Sequence, residues 1–147
     1  AGAAGMCGGQ LLDLLAERRP LDAVEVALLQ RLKTGALIRF AAEAGAILGR
    51  AGPAQADALT SYAEDLGLAF QIRDDLLDRL GDSAVTGKDA GRDRVAGKAS
   101  FVELLGVDGA QAKLRQLRAQ ALARLDIFAG RYTLLPPLFD LVIDRQS

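Results

Sequence analysis

The chain contains no histidine. That excludes Ser-His and Cys-His catalysis and every zinc site that needs an imidazole. Its one cysteine, Cys7, cannot build a disulfide framework within the chain. A metal held here would be a hard cation on oxygen ligands. Neither sign of charge is in excess: the net charge is −1 over 147 residues. No general attraction to nucleic acid follows, and any anion site has to be local. No run of 18 apolar residues occurs, and the best stretch, 36–48, is broken by Arg39 and Glu43, so no membrane span is expected. The opening Ala-Gly-Ala-Ala-Gly lacks the basic segment and apolar run of a secretory signal. These absences predict a soluble, cytoplasmic-type domain. Half of the residues are hydrophobic, enough to argue against disorder and for one domain with a real core.

β-Branched and aromatic residues are sparse, Ala and Leu dominate, and no segment alternates with period two. The composition predicts an all-α fold. A short helix is expected over about residues 5–17. Asp22 and Glu25 have the spacing of a capping box, with Leu21 and Val26 as a hydrophobic staple. The helix they open can run to about Leu48, where Gly49 and Gly52-Pro53 stop it. Pro53 suits the first turn of the next helix, expected to reach about Leu80. Residues 81–100 then hold four glycines among seven charged residues. So long a polar loop between apolar helices is functional or disordered. Further helices are expected near 100–105, 110–128 and 134–145.

On the helix before that loop, Asp74, Asp78 and Asp75 fall at about 0°, 40° and 100° of the helical wheel. Gln71 and Gly67 share this front, while Leu66, Ala69, Ile72, Leu76, Leu77 and Leu80 form an apolar back. A solvated amphipathic face is one reading. Against it, Asp74 and Asp78 are like charges at i,i+4, a destabilising arrangement, and no Lys or Arg of the helix shares their arc. Three carboxylates without a partner make sense if a cation supplies one. Magnesium suits them, because it takes one or two carboxylates, keeps waters and shares phosphate oxygens.

The helix from Asp22 to Leu48 is apolar nearly all round, which predicts a central, buried position. Lys33 lies off its charged stripe of Glu25, Arg39 and Glu43, among Val26, Leu29, Leu37 and Phe40. A buried ammonium needs an anionic partner. A bound anion and an internal carboxylate, or a snorkelling lysine, are both open readings. Beside it, Thr34 offers a hydroxyl and Gly35 allows close approach. In the loop, Gly87-Lys88 and Gly97-Lys98 stand ten residues apart. Such pairs combine a tight backbone path with mobile charges for phosphate, although a flexible solvated loop would look the same. Ser100 could simply cap the following helix.

Four segments in order resemble the trans-type isoprenyl diphosphate synthases, the farnesyl and geranylgeranyl diphosphate synthase family. They are Gly5-Met6-Cys7-Gly8-Gly9-Gln10-Leu11-Leu12-Asp13, Lys33-Thr34-Gly35, Phe70-Gln71-Ile72-Arg73-Asp74-Asp75-Leu76-Leu77-Asp78, and the loop from Gly87 to Phe101. The ending, Leu141 to Arg145, resembles the family's closing helix. The resemblance implies that Asp74, Asp75 and Asp78 bind Mg2+ as the second aspartate-rich motif. It implies that Lys33, Lys88 and Lys98 contact the allylic diphosphate or its metal. Thr34 and Gln71 would line the allylic pocket, and Phe70 and Gln10 would lie near the homoallylic substrate and central cavity. For Asp13, helix packing is the reading taken.

The reaction so implied is Mg2+-dependent head-to-tail 1'-4 condensation of an allylic diphosphate with isopentenyl diphosphate. The family's first aspartate-rich motif does not occur in these 147 residues. The expectation is therefore the C-terminal half of the isoprenoid synthase helical bundle, spanning residues 1–147. By itself it should be inactive, and it should associate with its own N-terminal half or as a homodimer. Two other classes stay open. One is a terpene cyclase or a squalene- or phytoene-type synthase, and the other is a non-catalytic synthase-like subunit.

Overall fold

A computed structural model describes residues 2–16, 18–19, 21–85 and 101–145 of the chain. Every regular element among them is helical. They are α1 (Met6–Ala16), α2 (Ala23–Gln30), a π-helical turn (Arg31–Gly35), α3 (Ala36–Leu48), α4 (Pro53–Val85), α5 (Phe101–Arg124), a 3-10 turn (Leu125–Phe128) and α6 (Leu135–Asp144). No described helix is long and apolar enough to cross a membrane.

The axis is α4, which runs five residues past the expected end at Leu80. Tyr62, Leu66, Ala69, Ile72 and Leu76 recur every three or four residues along it and are buried, the spacing that puts one face of a helix against a core. Val102, Ala110, Leu114, Leu117 and Ala121 of α5 supply the opposing face, and Leu125 and Phe139 close the cluster. Each fully buried Ile, Leu or Phe here contributes about 1.5–3 kcal/mol. The two helices expected at 100–105 and 110–128 form one element interrupted at Gly106, where φ of 70° breaks the helical path. Glycine adopts that backbone without a Cβ penalty. α6 begins as expected, with Pro136 in its first turn.

Side chains pin α4, α5 and α6 to one another. Arg124 Nε donates to Asp65 at 2.9 Å. Arg118 Nη2 donates to Asp140 at 3.0 Å, and this guanidinium holds the Asp140 carboxyl below the usual range. Tyr62 Oη donates to the Leu135 carbonyl at 2.7 Å, with its ring edge-on to Phe139 at 6.0 Å. Burial, helped by the charge of Asp140, pushes the Tyr62 hydroxyl up to about 12. The folded state therefore holds this proton more tightly than the unfolded chain, whose tyrosine titrates near 10. The contribution is intact below pH 10 and disappears as pH rises through 12. Tyr62→Phe is expected to remove about 2 kcal/mol of alkaline sensitivity over that window, visible as a flatter slope of unfolding free energy against pH. An unchanged slope would assign the sensitivity elsewhere.

On the other side of α4, the expected capping box forms. Glu25 N donates to Asp22 Oδ1 at 2.8 Å, and Asp22 N donates to Glu25 Oε2 at 3.1 Å. Arg19 grips Glu25 through both Nη atoms, at 2.9 and 2.6 Å, and so holds its carboxyl down at about 2. Leu21 is buried; the side chain of its expected staple partner Val26 lies outside the described set.

The helix expected from Asp22 to Leu48 is continuous but changes pitch at the π turn. It is not central. Leu37, Phe40, Ile47 and Leu48 of α3 are exposed, Phe40 by 63%. α3 covers α4 on one side only, so its second apolar face meets nothing among the described residues.

Candidate functional site

The site is built on the front of α4. Asp74 and Asp75 are half-buried and Asp78 is exposed. Neighbours along a helix diverge by about 100°, and here they face different elements. Asp75 Oδ2 accepts the Phe101 N–H at 2.8 Å, which anchors the start of α5. Asp74 Oδ1 accepts from Arg145 Nη2. The expectation of three unpartnered carboxylates is thus corrected: the cation absent from the helix face arrives from 71 residues away. Arg145 also lies 4.0 Å over the centroid of the Phe70 ring. Arg73, which the helical wheel aims away from the aspartates, donates from Nε to the Arg145 carbonyl at 3.0 Å.

Lys33 sits in the π turn. Such turns insert one residue into a helix and recur at functional sites. Its Nζ donates to Asp13 Oδ2 at 2.6 Å, with both side chains 39% exposed. Asp13 is therefore more than a helix-packing residue, and the lysine's internal partner is on α1. Two glycines set this geometry. A Cβ on Gly9 would lie 2.4 Å from Lys33 N and 2.8 Å from its Cα, so only glycine lets α1 approach the turn so closely. A Cβ on Gly67 would meet Gly35 Cα at 3.4 Å. Gly67 shares the front of α4 with Asp74, seven residues or about 10 Å away along the axis. The turn bearing Lys33 and Thr34 therefore rests on the same face as the aspartates.

Of the remaining expected site residues, Thr34, Phe70 and Gln71 are half-buried and Gln10 is exposed on α1. Lys88, Lys98 and Ser100 lie outside the described residues. No group of three or more acidic or cysteine side chains converges closely enough for a metal among the described residues, because Asp75 turns to α5 and Asp74 to α6. The donor chemistry still fits a hard cation: Asp74 and Asp78 offer only oxygens from one face, and Asp74 already takes a positive partner. A cleft lined by Leu59, Phe128, Arg131, Tyr132 and Leu135 lies toward the other end of α4. Leu59 is 15 residues from Asp74, about 22 Å along the axis, so that cleft is separate from the acidic face.

Comparison with known proteins agrees with this frame. The family model "Polyprenyl synthetase" matches residues 2–126. A farnesyl diphosphate synthase of Escherichia coli is 45% identical over all of this chain and 50% of its own length. A mitochondrial geranylgeranyl pyrophosphate synthase of Arabidopsis thaliana is 34% identical over 99% of this chain and 45% of its own. A crystal structure of an FPP/GFPP synthase from Zymomonas mobilis superposes with a TM-score of 0.80, at 42% identity, over 96% of this chain and 46% of that one. The chain spans about half the length of these relatives.

Proposed function

Because the chain belongs to the polyprenyl synthetase family, we propose that it forms the diphosphate-gripping wall of a short-chain prenyl diphosphate synthase. The reaction is Mg2+-dependent head-to-tail condensation of an allylic diphosphate with isopentenyl diphosphate. One observation supports this reading above the others: through the Gly35–Gly67 contact, the turn that bears Lys33 rests on the face of α4 that also carries Asp74.

Asp74 and Asp78, with Asp75, would hold the metal. Bound Mg2+ supplies positive charge that stabilises a departing diphosphate. The lysines do the same without a metal. Lys33 spends one of its three donors on Asp13, which fixes the ammonium and leaves the others for diphosphate oxygens. Lys88 and Lys98 would add two further charges. In the reaction the allylic C–O bond breaks and diphosphate keeps the electron pair. The double bond of isopentenyl diphosphate then forms the new C–C bond, and a proton leaves. Phe70 and Gln10 would lie toward the homoallylic substrate, and Thr34 and Gln71 would line the allylic pocket. Apolar walls shield the cation from water.

The exposed apolar stripe Leu37, Phe40, Ile47, Leu48 would be covered by the half of the bundle that the relatives carry in addition. A cytoplasmic setting and a dimeric assembly belong to the same proposal. Incubated with Mg2+, dimethylallyl diphosphate and isopentenyl diphosphate, the 147-residue chain should form no product. Product should appear once the complementary half is co-expressed. Turnover by the chain alone would show that it needs no second half, and silence of the combined halves would remove the prenyltransferase reading.

A further inference from the structure

Arg145 is the first residue beyond α6, and its backbone is already extended (φ −57°, ψ 146°). It reaches back onto α4 through three side-chain contacts: Nη2 to Asp74 Oδ1, Nη2 to the Phe70 carbonyl at 3.4 Å, and the guanidinium over the Phe70 ring at 4.0 Å. Arg73 fixes its carbonyl from the other side. The grip is incomplete, because the buried Nε of Arg145 has no hydrogen-bond partner among the described residues. A buried donor without a partner carries a desolvation penalty, so this arrangement is poised to open.

From this geometry we infer that Arg145 is an exchangeable internal cation for Asp74. It neutralises the acidic face when no divalent ion is bound, and the ion displaces it, freeing the end of α6 from α4. A guanidinium and a divalent cation on one carboxylate would repel each other, so the two states exclude one another. Arg145 is then a positioning residue that couples the end of α6 to the metal. The inference rests on the reading of Asp74 as a magnesium ligand.

Calorimetric titration with Mg2+ tests it on wild type, Arg145→Gln and Arg145→Lys. Removing an occupant raises the fraction of competent sites and so the apparent affinity. Arg145→Gln should bind Mg2+ about 3–10-fold more tightly than wild type, with Arg145→Lys between them. Hydrogen exchange should show the amides of 141–145 opening when Mg2+ is added to wild type. Where Arg145→Gln disturbs α6, Arg73→Gln loosens the same clasp without touching Asp74 and should shift affinity in the same direction. Equal or weaker Mg2+ binding by Arg145→Gln overturns the exchange and leaves the metal reading standing. No Mg2+ binding by any variant overturns both.

Discussion

Asp74→Asn combined with Asp78→Asn is expected to weaken Mg2+-dependent binding of inorganic diphosphate by at least about 100-fold. Loss of a single supporting group around a metal already costs about 10–100-fold, and this pair removes the ligating charges themselves. Asparagine keeps an oxygen for the Arg145 guanidinium, so the contact to α6 survives and the thermal midpoint should move by only a few degrees. Asp75→Ala is a different experiment, because it removes the acceptor oxygen altogether. Asp75 accepts the Phe101 N–H at the start of α5, and its loss should weaken folding as well as binding. Calorimetry with and without Mg2+ separates the two. Undiminished diphosphate binding by the double variant would move the anion site off α4 and onto the lysines alone.

Gly9→Val is expected to have the largest structural effect near the site. Even its Cβ would sit 2.4 Å from Lys33 N, and backbone cannot swing aside as a long side chain can. Overpacking of this kind costs about 1–3 kcal/mol, or more where nothing yields. For a chain of this size that lowers the thermal midpoint by roughly 5–10 °C. α1 should lift from the π turn, Lys33 should lose Asp13, and trypsin should cut faster after Arg18. Gly45→Ala is the matched control. A Cβ there meets nothing within 4 Å, and alanine inside α3 should be neutral or slightly stabilising. If Gly9→Val melts like wild type, the close approach of α1 to the turn is wrong.

Much of this molecule was legible locally. The all-α class followed from Ala and Leu abundance and the missing period-two pattern. The Asp22–Glu25 capping box formed as its spacing requires, since a cap is a contact three residues long. The apolar back of α4 was also readable, because Leu66, Ala69, Ile72 and Leu76 repeat at helical period and are buried. Other features had no local signal. The π turn at Lys33 leaves no periodic trace that five residues could reveal. The partner of Lys33 was among the open possibilities, but choosing Asp13 needed the path of α1. The apolar circumference of 22–48 predicted a central, buried helix, whereas α3 packs against α4 on one face and leaves Phe40 and Leu48 exposed.

The sequence by itself determined which residues could serve chemistry of this kind: oxygen donors without histidine, lysines beside glycines, and an acidic stripe on a greasy helix. Those are properties of residue type and helical period, both carried within a few turns. Only the tertiary structure decided how the charges are distributed. It gave Asp74 to Arg145, Asp75 to the N–H of Phe101, and Lys33 to Asp13. Each of these pairings joins residues 20 to 71 positions apart, and only the packing of whole helices, through contacts as small as Gly9 on Lys33 and Gly67 on Gly35, can set them.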